Sequence, residues 1–383
     1  MKFFYKIMIL LLFSSNISGT AIRVLLAESE NPVWHISAGA GFTFQNPKTG
    51  KKLPLLSSHR RLTITTEQGK FIINGKVFKE DQLYLQPIND HAQFEQDHYD
   101  GFFMIAKQEG KYYLINVVNV EEYVFAVVKA ESWPGWPLEV NKVFAVASRS
   151  YVLHQLLKAR KKKSLFHIRN TNHHQQYKGV HTCAIIRQAV DETRGLFLGY
   201  DGQPILAMFD ICCGSIIPSH VTGIVDFEKV PYLARNYACT FCKDCKSFNW
   251  SFVYSAEQLQ NKLQEGFQAP IRLVKDLKIV KKDKAGVVQK VVLKTGQKDE
   301  HFSVHELYKL LPIKSYAFTI KKQGKKYSFS GKGFGHHIGL CQWGAREMVR
   351  LGWSYELILK FFYPGTVFMR LHDDIKPVQA SIE

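Results

Sequence analysis

The sequence predicts an α+β protein in which a β-rich N-terminal part is followed by a mixed helical and strand core. Residues 22–118 are dominated by short alternating or continuous apolar runs, which are typical of strands. Residues 119–160 instead repeat apolar side chains at spacings of three and four, which indicates helices. Because strands and helices segregate along the chain, the α+β class is favoured over an alternating α/β arrangement.

The chain opens with the features of an export signal. Lys2 and Lys6 precede the apolar run Ile7–Phe13, and small residues suited to cleavage follow it. This run is too short to span a bilayer in the mature protein. The pattern predicts a signal peptide over residues 1–21 and an exported protein, periplasmic or associated with the cell envelope. A signal that is not cleaved would leave a membrane tether.

The charge composition indicates which kinds of molecule the protein is expected to bind. The 383 residues carry 51 Lys and Arg against 33 Asp and Glu, a formal net charge of +18. A surface this basic favours polyanions. The chain contains no nucleic-acid-binding motif and its start predicts export, so we expect no nucleic acid partner and favour an anionic cell envelope. An ordinary solvated basic surface is the alternative for each individual lysine run.

The apolar runs of the β-rich region predict its strands, and Gly, Asn, Asp and Lys residues between the runs predict turns. The predicted strands are 21–26, 60–66, 70–78, 83–88, 101–107 and 111–119.

The stretch 119–153 is the most informative part of the chain. Two helical patterns flank the aromatic and proline turn Trp133–Pro137, and Glu131 ends the first of them. A carboxylate beside apolar rings loses hydration, and its pKa rises toward the range that a general acid needs. Glu131 is therefore the candidate acid/base. The alternative is a solvent-exposed glutamate at a helix end.

Beyond this stretch, the pattern predicts a helix near 184–193. A short αβ unit follows at 251–330, and two closing helices are predicted at 341–351 and 354–362. The length exceeds one average domain, so two subdomains are expected.

Seven cysteines predict a structural cross-link, through a metal or through disulfides, in the loop-rich middle of the chain. Cys239, Cys242 and Cys245 are spaced C-x2-C-x2-C, and Cys213 lies about 30 residues earlier. These four form a candidate zinc site. In an exported chain, disulfides compete with zinc, so both remain open. An odd cysteine count excludes complete intramolecular pairing.

Residues 119–153 resemble the core of the SpoIID/LytB family of peptidoglycan-acting proteins, with departures at Lys129, Ala130, Trp133 and Ser148. The matching residues are Glu121, Glu122, Tyr123, Val127, Val128, Glu131, Trp136, Pro137, Glu139, Ala145, Ala147, Arg149 and Tyr151. Residues 171–179 and the segment 331–366 match further family motifs in the same order. The three ordered matches are specific together, although no single one would be.

The resemblance implies a murein lytic transglycosylase that cleaves MurNAc–GlcNAc bonds of denuded glycan strands and leaves 1,6-anhydroMurNAc ends. In that reaction Glu131 would serve alone as acid and base, and the chemistry requires no cofactor. The implied partners are peptidoglycan glycan strands and an N-acetylmuramoyl-L-alanine amidase that removes the stem peptides. The alternative is a non-catalytic, peptidoglycan-binding amidase enhancer.

The resemblance also implies a division of the chain. The predicted segments are 1–21 signal peptide, 22–118 β-rich N-terminal region, 119–250 catalytic core, 251–330 small αβ insertion, 331–372 C-terminal signature closing the core, and 373–383 tail.

The matched motifs supply further candidate residues, which we expect to converge on one groove. The candidates for substrate binding are Arg149, Tyr151, Gln176, Tyr177, His336, Gln342 and Trp343. Arg149 could instead pair with a buried carboxylate, and Trp343 could pack in the core. Because some family members hold zinc near residues 171–179, the candidates for a metal there are His167, His173 and His174. Their alternative role is that of ordinary polar groups in a loop.

Overall fold

The computed structural model describes residues 20–50, 52–53, 59–88, 91–171, 174–266, 274–295 and 299–371. Most of the predicted signal peptide and the whole predicted tail lie outside these residues. The chain forms two compact units. The first comprises Met1–Trp133, Val152–Leu196 and Arg370–Glu383, and the second comprises Pro134–Tyr151 and Phe197–Met369. No helix of the described part is long and apolar enough to cross a membrane.

The N-terminal region is β-rich, as predicted. Its strands are β1 Ala21–Ser29, β2 Trp34–Ala38, β3 Phe42–Gln45, β4 Lys52–Leu53, β5 Arg61–Glu67, β6 Lys70–Ile73, β7 Lys76–Phe78, β8 Gln82–Pro87, β9 Ala92–Phe94, β10 Asp97–Tyr99, β11 Phe102–Gln108 and β12 Lys111–Asn119. The next elements are α1 Val120–Glu131, α2 Leu138–Lys161, β13 Ile168–Arg169 and α3 Ala184–Glu192. Among the described residues, twelve strands precede the first helix, later helices and strands are mixed, and the α+β class is confirmed.

These strands form two sheets. The first has the order β13-β1-β12-β11-β8-β3-β4, and the second has the order β10-β9-β2-β5-β6-β7. The strongly apolar strands β11 and β12 lie near the middle of the first sheet, where Ile105, Leu114 and Ile115 are fully buried. The β6–β7 hairpin turns at Asn74 and Gly75, whose φ values of 48° and 78° fit the two-residue turn that matches strand twist.

The register of the first sheet fixes where α1 begins. Ala21 at the start of β1 pairs with Asn119 at the end of β12. The Asn119 side chain then caps α1 by accepting the backbone N–H of Glu121 at 2.7 Å. The chain therefore passes directly from a central strand into α1, and the direction of that helix is set by the sheet.

The second unit holds the remaining elements. They are β14 Leu196–Tyr200, β15 Gln203–Pro204, β16 Phe209–Asp210, β17 Asn249–Ser255, α4 Ala256–Gln264, β18 Val274–Lys282, β19 Val288–Thr295, β20 Asp299–Ser303, α5 Val304–Leu310, β21 Phe318–Gln323, β22 Lys326–Lys332, β23 Leu340–Cys341, α6 Gln342–Arg350, α7 Tyr355–Phe362 and β24 Val367–Arg370. Short 3₁₀ turns lie at Pro218–His220 and Pro231–Leu233.

The αβ unit predicted at 251–330 has its own core. The three-stranded sheets β17-β22-β21 and β18-β19-β20 share apolar residues with α4 and α5. Both helices start with a capping box, Ser255 with Gln258 and Ser303 with Glu306. Since each box satisfies two backbone groups at the helix start, these short helices are well defined by local sequence.

The glycine-rich segment before α6 crosses closely against another part of the chain. β16 pairs in parallel with β23, and Phe334 forms an isolated bridge with Cys212. A Cβ atom on Gly335, where φ is 128°, would lie 2.2 Å from the Asp210 Cβ. Glycine at this position therefore lets the segment pass close against Asp210.

Candidate active site

Helix α1 carries Glu131 as its last residue. The backbone N–H of Ser132 donates to the Val128 carbonyl and closes the helix there. Because a helix C-terminus carries partial negative charge, a carboxylate at this end is disfavoured in its ionised form. The helix C-terminus therefore favours the protonated form of Glu131.

The Glu131 carboxyl is largely buried and accepts a hydrogen bond from the loop of residues 174–178. The backbone N–H of Gln176 donates to Glu131 Oε1 at 2.9 Å. Burial raises the pKa of Glu131, and the Gln176 amide partly opposes that rise. The predicted direction of the pKa shift is confirmed, and the exposed alternative for Glu131 is wrong.

The two tryptophans that follow Glu131 have different surroundings. The Trp133 side chain is 48% exposed. Trp136 is buried, and its ring lies 5.8 Å from Phe144 and 5.9 Å from Trp343, measured between centroids. Trp136 is therefore a core residue of the second unit.

The loop of residues 174–178 is fixed by its neighbours on both sides of Gln176. Gln175 Oε1 accepts the Tyr123 hydroxyl of α1 at 2.9 Å. The Tyr177 hydroxyl donates to Asn116 Oδ1 of β12 at 2.6 Å. Since the flanking side chains are anchored, the Gln176 amide is held in place toward Glu131.

Tyr177 was predicted to contact substrate, and the structure corrects this. Its side chain is 1% exposed, and its ring lies 5.3 Å from Tyr123 and 5.6 Å from Tyr99. Burial raises the pKa of Tyr177 well above its ordinary value. Tyr177 is a positioning residue inside the first unit, because its only polar atom is turned toward Asn116.

A polar cavity of about 240 Å³ lies beside Gln176. Its lining includes Glu95, Asp97, Asn170 and Lys178. Side chains of this kind suit the hydroxyl and amide groups of an amino sugar. Glu95 and Asp97 were not predicted from the sequence, because β9 and β10 are too short to be recognised as strands and only the folded sheet brings these two residues near Gln176.

The acids near Glu131 in sequence have structural contacts. Glu121 is 5% exposed and accepts the backbone N–H of Gly195 at 3.1 Å. Glu122 is partly exposed and binds both guanidinium nitrogens of Arg187 at 2.8 and 2.7 Å.

Glu139 completes the set of neighbouring acids. It pairs with Lys142 at 2.7 Å and accepts the backbone N–H of Tyr355 at 3.0 Å. The carboxylate therefore satisfies the start of α7, where Ser354 occupies the cap position without a side-chain bond.

The candidate histidine ligands do not form a metal site around His167. The backbone N–H of Arg23 contacts His167 Nδ1 at 3.1 Å, and the Arg23 guanidinium contacts Nε2 at 3.0 Å. Burial and then the charge of Arg23 lower the pKa of His167 to about 3. Both ring nitrogens thus face a donor. His174 is half-buried, and His173 lies outside the described residues.

Three of the predicted substrate contacts in the second unit are buried. Arg149 is 0% exposed and donates to the Ala145 carbonyl at 3.4 Å. Tyr151 and Gln342 are 8% and 2% exposed. Their burial contradicts direct substrate contact in this arrangement.

His336 and Trp343 keep part of their surface accessible. His336 Nδ1 accepts the backbone N–H of Ile338 at 3.1 Å, and burial lowers the pKa of His336 to about 4. The Trp343 ring lies 5.1 Å from the Arg346 guanidinium. Both residues belong to the second unit and Glu131 belongs to the first. The shared groove stays a prediction.

Two buried polar residues of the second unit, Asp210 and His337, were not identified from the sequence. The backbone N–H of His337 donates to Asp210 Oδ2 at 2.7 Å, and His337 Nδ1 donates to the Cys213 carbonyl at 2.9 Å. Asp210 Oδ1 and His337 Nε2 have no hydrogen-bond partner among the described residues. Burial raises the pKa of Asp210 well above its ordinary value. The available signal was Asp210 itself, a single carboxylate in the otherwise apolar run of residues 205–213.

The cysteine cluster differs from the predicted set by one member. The Sγ atoms of Cys213, Cys239, Cys242 and Cys341 all lie within 4.8 Å of one another, and all four residues are buried. As predicted, Cys213 lies against the 239–245 segment, with 3.6 Å between its sulfur and that of Cys242. The spacing of the cysteines predicted Cys245 in this group in place of Cys341, because only the fold brings β23 to the other sulfurs.

Comparison with known families identifies two matching segments. Residues 108–200 match the family described as Stage II sporulation protein, SpoIID, and this segment contains both Glu131 and Gln176. Residues 233–339 match a domain of unknown function.

Three relatives extend over larger parts of the chain. An uncharacterized protein of Brachyspira hyodysenteriae is 28% identical over 90% of this chain and 91% of its own length. The Amidase enhancer of Bacillus subtilis is 27% identical over 63% of this chain, which spans 39% of that relative. Stage II sporulation protein D of Bacillus subtilis is 24% identical over 65% of this chain and 74% of its own length.

Proposed function

Because this chain belongs to the SpoIID/LytB family, with a role related to the cell wall, we propose that it is an exported murein lytic transglycosylase. The proposed substrate is a denuded glycan strand, cleaved between MurNAc and GlcNAc to leave a 1,6-anhydroMurNAc end. The observation that carries this proposal is the buried Glu131 carboxyl with its raised pKa and its hydrogen bond from Gln176.

The reaction uses one carboxyl group twice. Protonated Glu131 donates its proton to the glycosidic oxygen as the bond from that oxygen to the MurNAc C1 breaks. The resulting carboxylate then removes the proton from the MurNAc C6 hydroxyl, whose oxygen bonds to C1 and closes the anhydro ring. Glu131 ends the cycle protonated, and no water is consumed. The two-carboxylate spacing of hydrolytic glycosidases therefore does not apply.

The surroundings of Glu131 suit both steps. Burial and the helix C-terminus favour the neutral acid that begins the reaction. The Gln176 amide favours the carboxylate that the second step requires. Because its surroundings favour both the acid and the carboxylate, Glu131 is suited to lose and regain its proton in one cycle. A buried carboxyl without a hydrogen-bond donor would instead stay protonated.

The polar cavity beside Gln176 is the proposed contact for a sugar residue. Asn170 presents an amide and Lys178 a cation at its wall, together with Glu95 and Asp97. An amino sugar offers hydroxyl and acetamido groups to such a lining. The proposed setting is the cell envelope, where the net charge of +18 favours anionic polymers. An amidase is the proposed source of peptide-free strands.

A second candidate function is a non-catalytic amidase enhancer that binds peptidoglycan. One relative bears the name Amidase enhancer. The specific observation in its favour is that Lys129, Ala130 and Trp133, which surround Glu131 in the sequence, depart from the pattern of the resembled family.

The deciding experiment is product analysis after incubation of the full chain with denuded glycan strands. Mass spectrometry should detect anhydromuramyl ends, each one water lighter than a hydrolysed end. Glu131→Gln should reduce their release by about 10²–10⁴-fold, the usual contribution of general acid–base catalysis. The matched control is Glu30→Gln, at an exposed glutamate of the same unit, and it should keep wild-type activity.

Two outcomes would reject the transglycosylase. One is the absence of anhydro ends together with faster stem-peptide release when a purified amidase is added, which identifies an enhancer. The other is normal turnover by a well-folded Glu131→Gln protein.

A further inference from the structure

We propose that the second unit contains a structural zinc site formed by the thiolates of Cys213, Cys239, Cys242 and Cys341, which fixes the start of α6. The inference is independent of the proposed transglycosylase, because all four residues lie outside the unit that holds Glu131. It also revises the cysteine set expected from the sequence.

The sulfur positions fit a tetrahedral ion. Zinc–sulfur bonds are about 2.3 Å long, so the sulfurs around one zinc ion lie about 3.8 Å apart. The four Sγ atoms lie within 4.8 Å of one another, and those of Cys213 and Cys242 are 3.6 Å apart. Disulfides join sulfurs only in pairs at about 2.05 Å. Four sulfurs that all approach one another are what a single four-coordinate ion requires.

The ligands come from three separate parts of the chain. Cys213 follows β16, and Cys341 ends β23. Cys239 and Cys242 are spaced C-x2-C in a turn, the spacing by which one loop commonly supplies two zinc ligands. A metal at this point would connect segments that have few regular hydrogen bonds of their own.

Backbone N–H groups favour thiolate at Cys341. The N–H groups of Cys213 and Gly344 each donate to Cys341 Sγ at 3.3 Å. Cys341 is also the N-cap residue of α6, where the helix dipole favours negative charge. The approach is close enough that a Cβ on Gly344 would lie 2.8 Å from Cys239 Sγ. Glycine at the third position of the helix therefore lets α6 meet the sulfurs.

Burial identifies the site as structural. Cys239 and Cys341 are 0% exposed, Cys242 is 1% and Cys213 is 2%. Structural zinc sites are closed by four protein ligands, whereas catalytic sites keep one position for water or substrate.

Cys212 and Cys245 lie beside the four proposed ligands. The Cys212 side chain interacts with those of Cys242, Cys245 and Cys341, and Cys245 Sγ accepts the backbone N–H of Ser247 at 3.4 Å. They stand outside the group of four, and a tetrahedral zinc is already saturated by four thiolates. Cys245 is therefore the variant that separates this proposal from the set expected from the sequence.

The test begins with the metal content of the full chain, purified under reducing conditions. We expect one zinc per chain, and X-ray absorption should detect four sulfurs at about 2.3 Å. After chelation, Co²⁺ should restore the intense visible absorption of a tetrahedral cobalt tetrathiolate. Cys341→Ser should weaken metal binding in chelator competition on the order of tenfold or more. Cys245→Ser should keep one zinc, as should Cys183→Ser in the first unit.

Several results would overturn the proposal. Two zinc ions per chain would indicate a binuclear site that includes Cys212 and Cys245. Iron in place of zinc would reject the assigned metal. Disulfides detected by alkylation before reduction, without bound metal, would reject a thiolate site. Metal loss in Cys245→Ser with retention in Cys341→Ser would restore the earlier set. If Cys341→Ser does not fold, a wild-type absorption spectrum with nitrogen or oxygen neighbours still contradicts the four-sulfur site.

Discussion

Gln176 donates its backbone N–H to Glu131 Oε1 at 2.9 Å across 45 residues of sequence. The contact joins the end of α1 to the loop of residues 174–178, and Tyr123 and Asn116 hold that loop on either side. It opposes the effect of burial on the pKa of Glu131. The pKa of the Glu131 carboxyl is thus influenced by a backbone group, and a change of side chain at position 176 would largely leave that contact intact.

The first prediction concerns the pH dependence of activity. If protonated Glu131 starts the reaction, kcat/KM should fall as pH rises through the pKa of that carboxyl in the folded protein. Because burial raises this pKa, the fall should occur at a higher pH than for an exposed glutamate. The measurement is the release of anhydromuramyl ends over a pH series. The Glu30→Gln profile should superimpose on that of the wild type, and a fall centred at the pKa of an exposed glutamate would contradict the assignment.

The second prediction concerns stability. A carboxyl whose pKa is raised by folding binds more protons in the folded state, so stability falls as pH rises from the unfolded pKa through the folded pKa. Glu131→Gln removes this loss and keeps an acceptor for the Gln176 amide. The variant should therefore be more stable than wild type above the folded pKa.

Urea unfolding at two pH values provides the measurement for this second prediction. Below the pKa of an unfolded glutamate, wild type and Glu131→Gln should have nearly equal free energies of unfolding, because both side chains are then neutral. A variant that is less stable than wild type at neutral pH would show that ionised Glu131 is stabilised by its surroundings.

The third prediction concerns the anchor of the loop. Tyr177→Phe removes the hydroxyl that donates to the buried Asn116 Oδ1 and leaves that acceptor unsatisfied. We expect the free energy of unfolding to drop by about 1–3 kcal/mol. Activity should fall as well, because the neighbouring Gln176 amide is positioned by this contact. Thermal and urea denaturation measure the first effect.

A double-mutant cycle distinguishes the hydrogen bond from a general loss of packing at Tyr177. Combining Tyr177→Phe with Asn116→Ala should give a coupling energy of about 0.5–3 kcal/mol. Tyr200→Phe, at a residue that is 38% exposed, is the control and should have little effect. Additive effects of the two core changes would mean that the bond contributes nothing specific.

The fourth prediction concerns the glycine-rich segment. In Gly335→Ala, the new Cβ would lie 2.2 Å from the Asp210 Cβ, at a backbone φ of 128°. Gly286→Ala is the matched control, since its φ is 79° and no atom lies within 4 Å of the added Cβ. The control should lose about 1–2 kcal/mol from backbone strain alone. Gly335→Ala should lose about 1–3 kcal/mol more from the steric conflict. Equal losses in urea denaturation would contradict the close crossing.

The sequence by itself determined the fold class and the elements with strong local signals. The apolar runs of β11 and β12 and the amphipathic patterns of α1 and α2 are set by side chains that are neighbours along the chain. Glu131 was also identifiable, because its position at the end of α1 follows from the same local pattern. The strands β2, β3, β4, β9 and β10 were missed, since strands of two to five residues carry a weak local pattern and are stabilised by their partners in the sheet.

Only the tertiary structure decided which groups contact one another. Tyr177 and Gln342 have side chains of the kind that bind sugars, yet the fold buries both of them. Cys341 is separated from Cys242 by 99 positions, and the pairing of β16 with β23 brings it to the other sulfurs. The physical reason is that local propensity acts over one or two turns of chain. Burial and proximity instead arise when the sheets and helices pack, where a side chain loses water or gains a partner that the linear sequence does not specify.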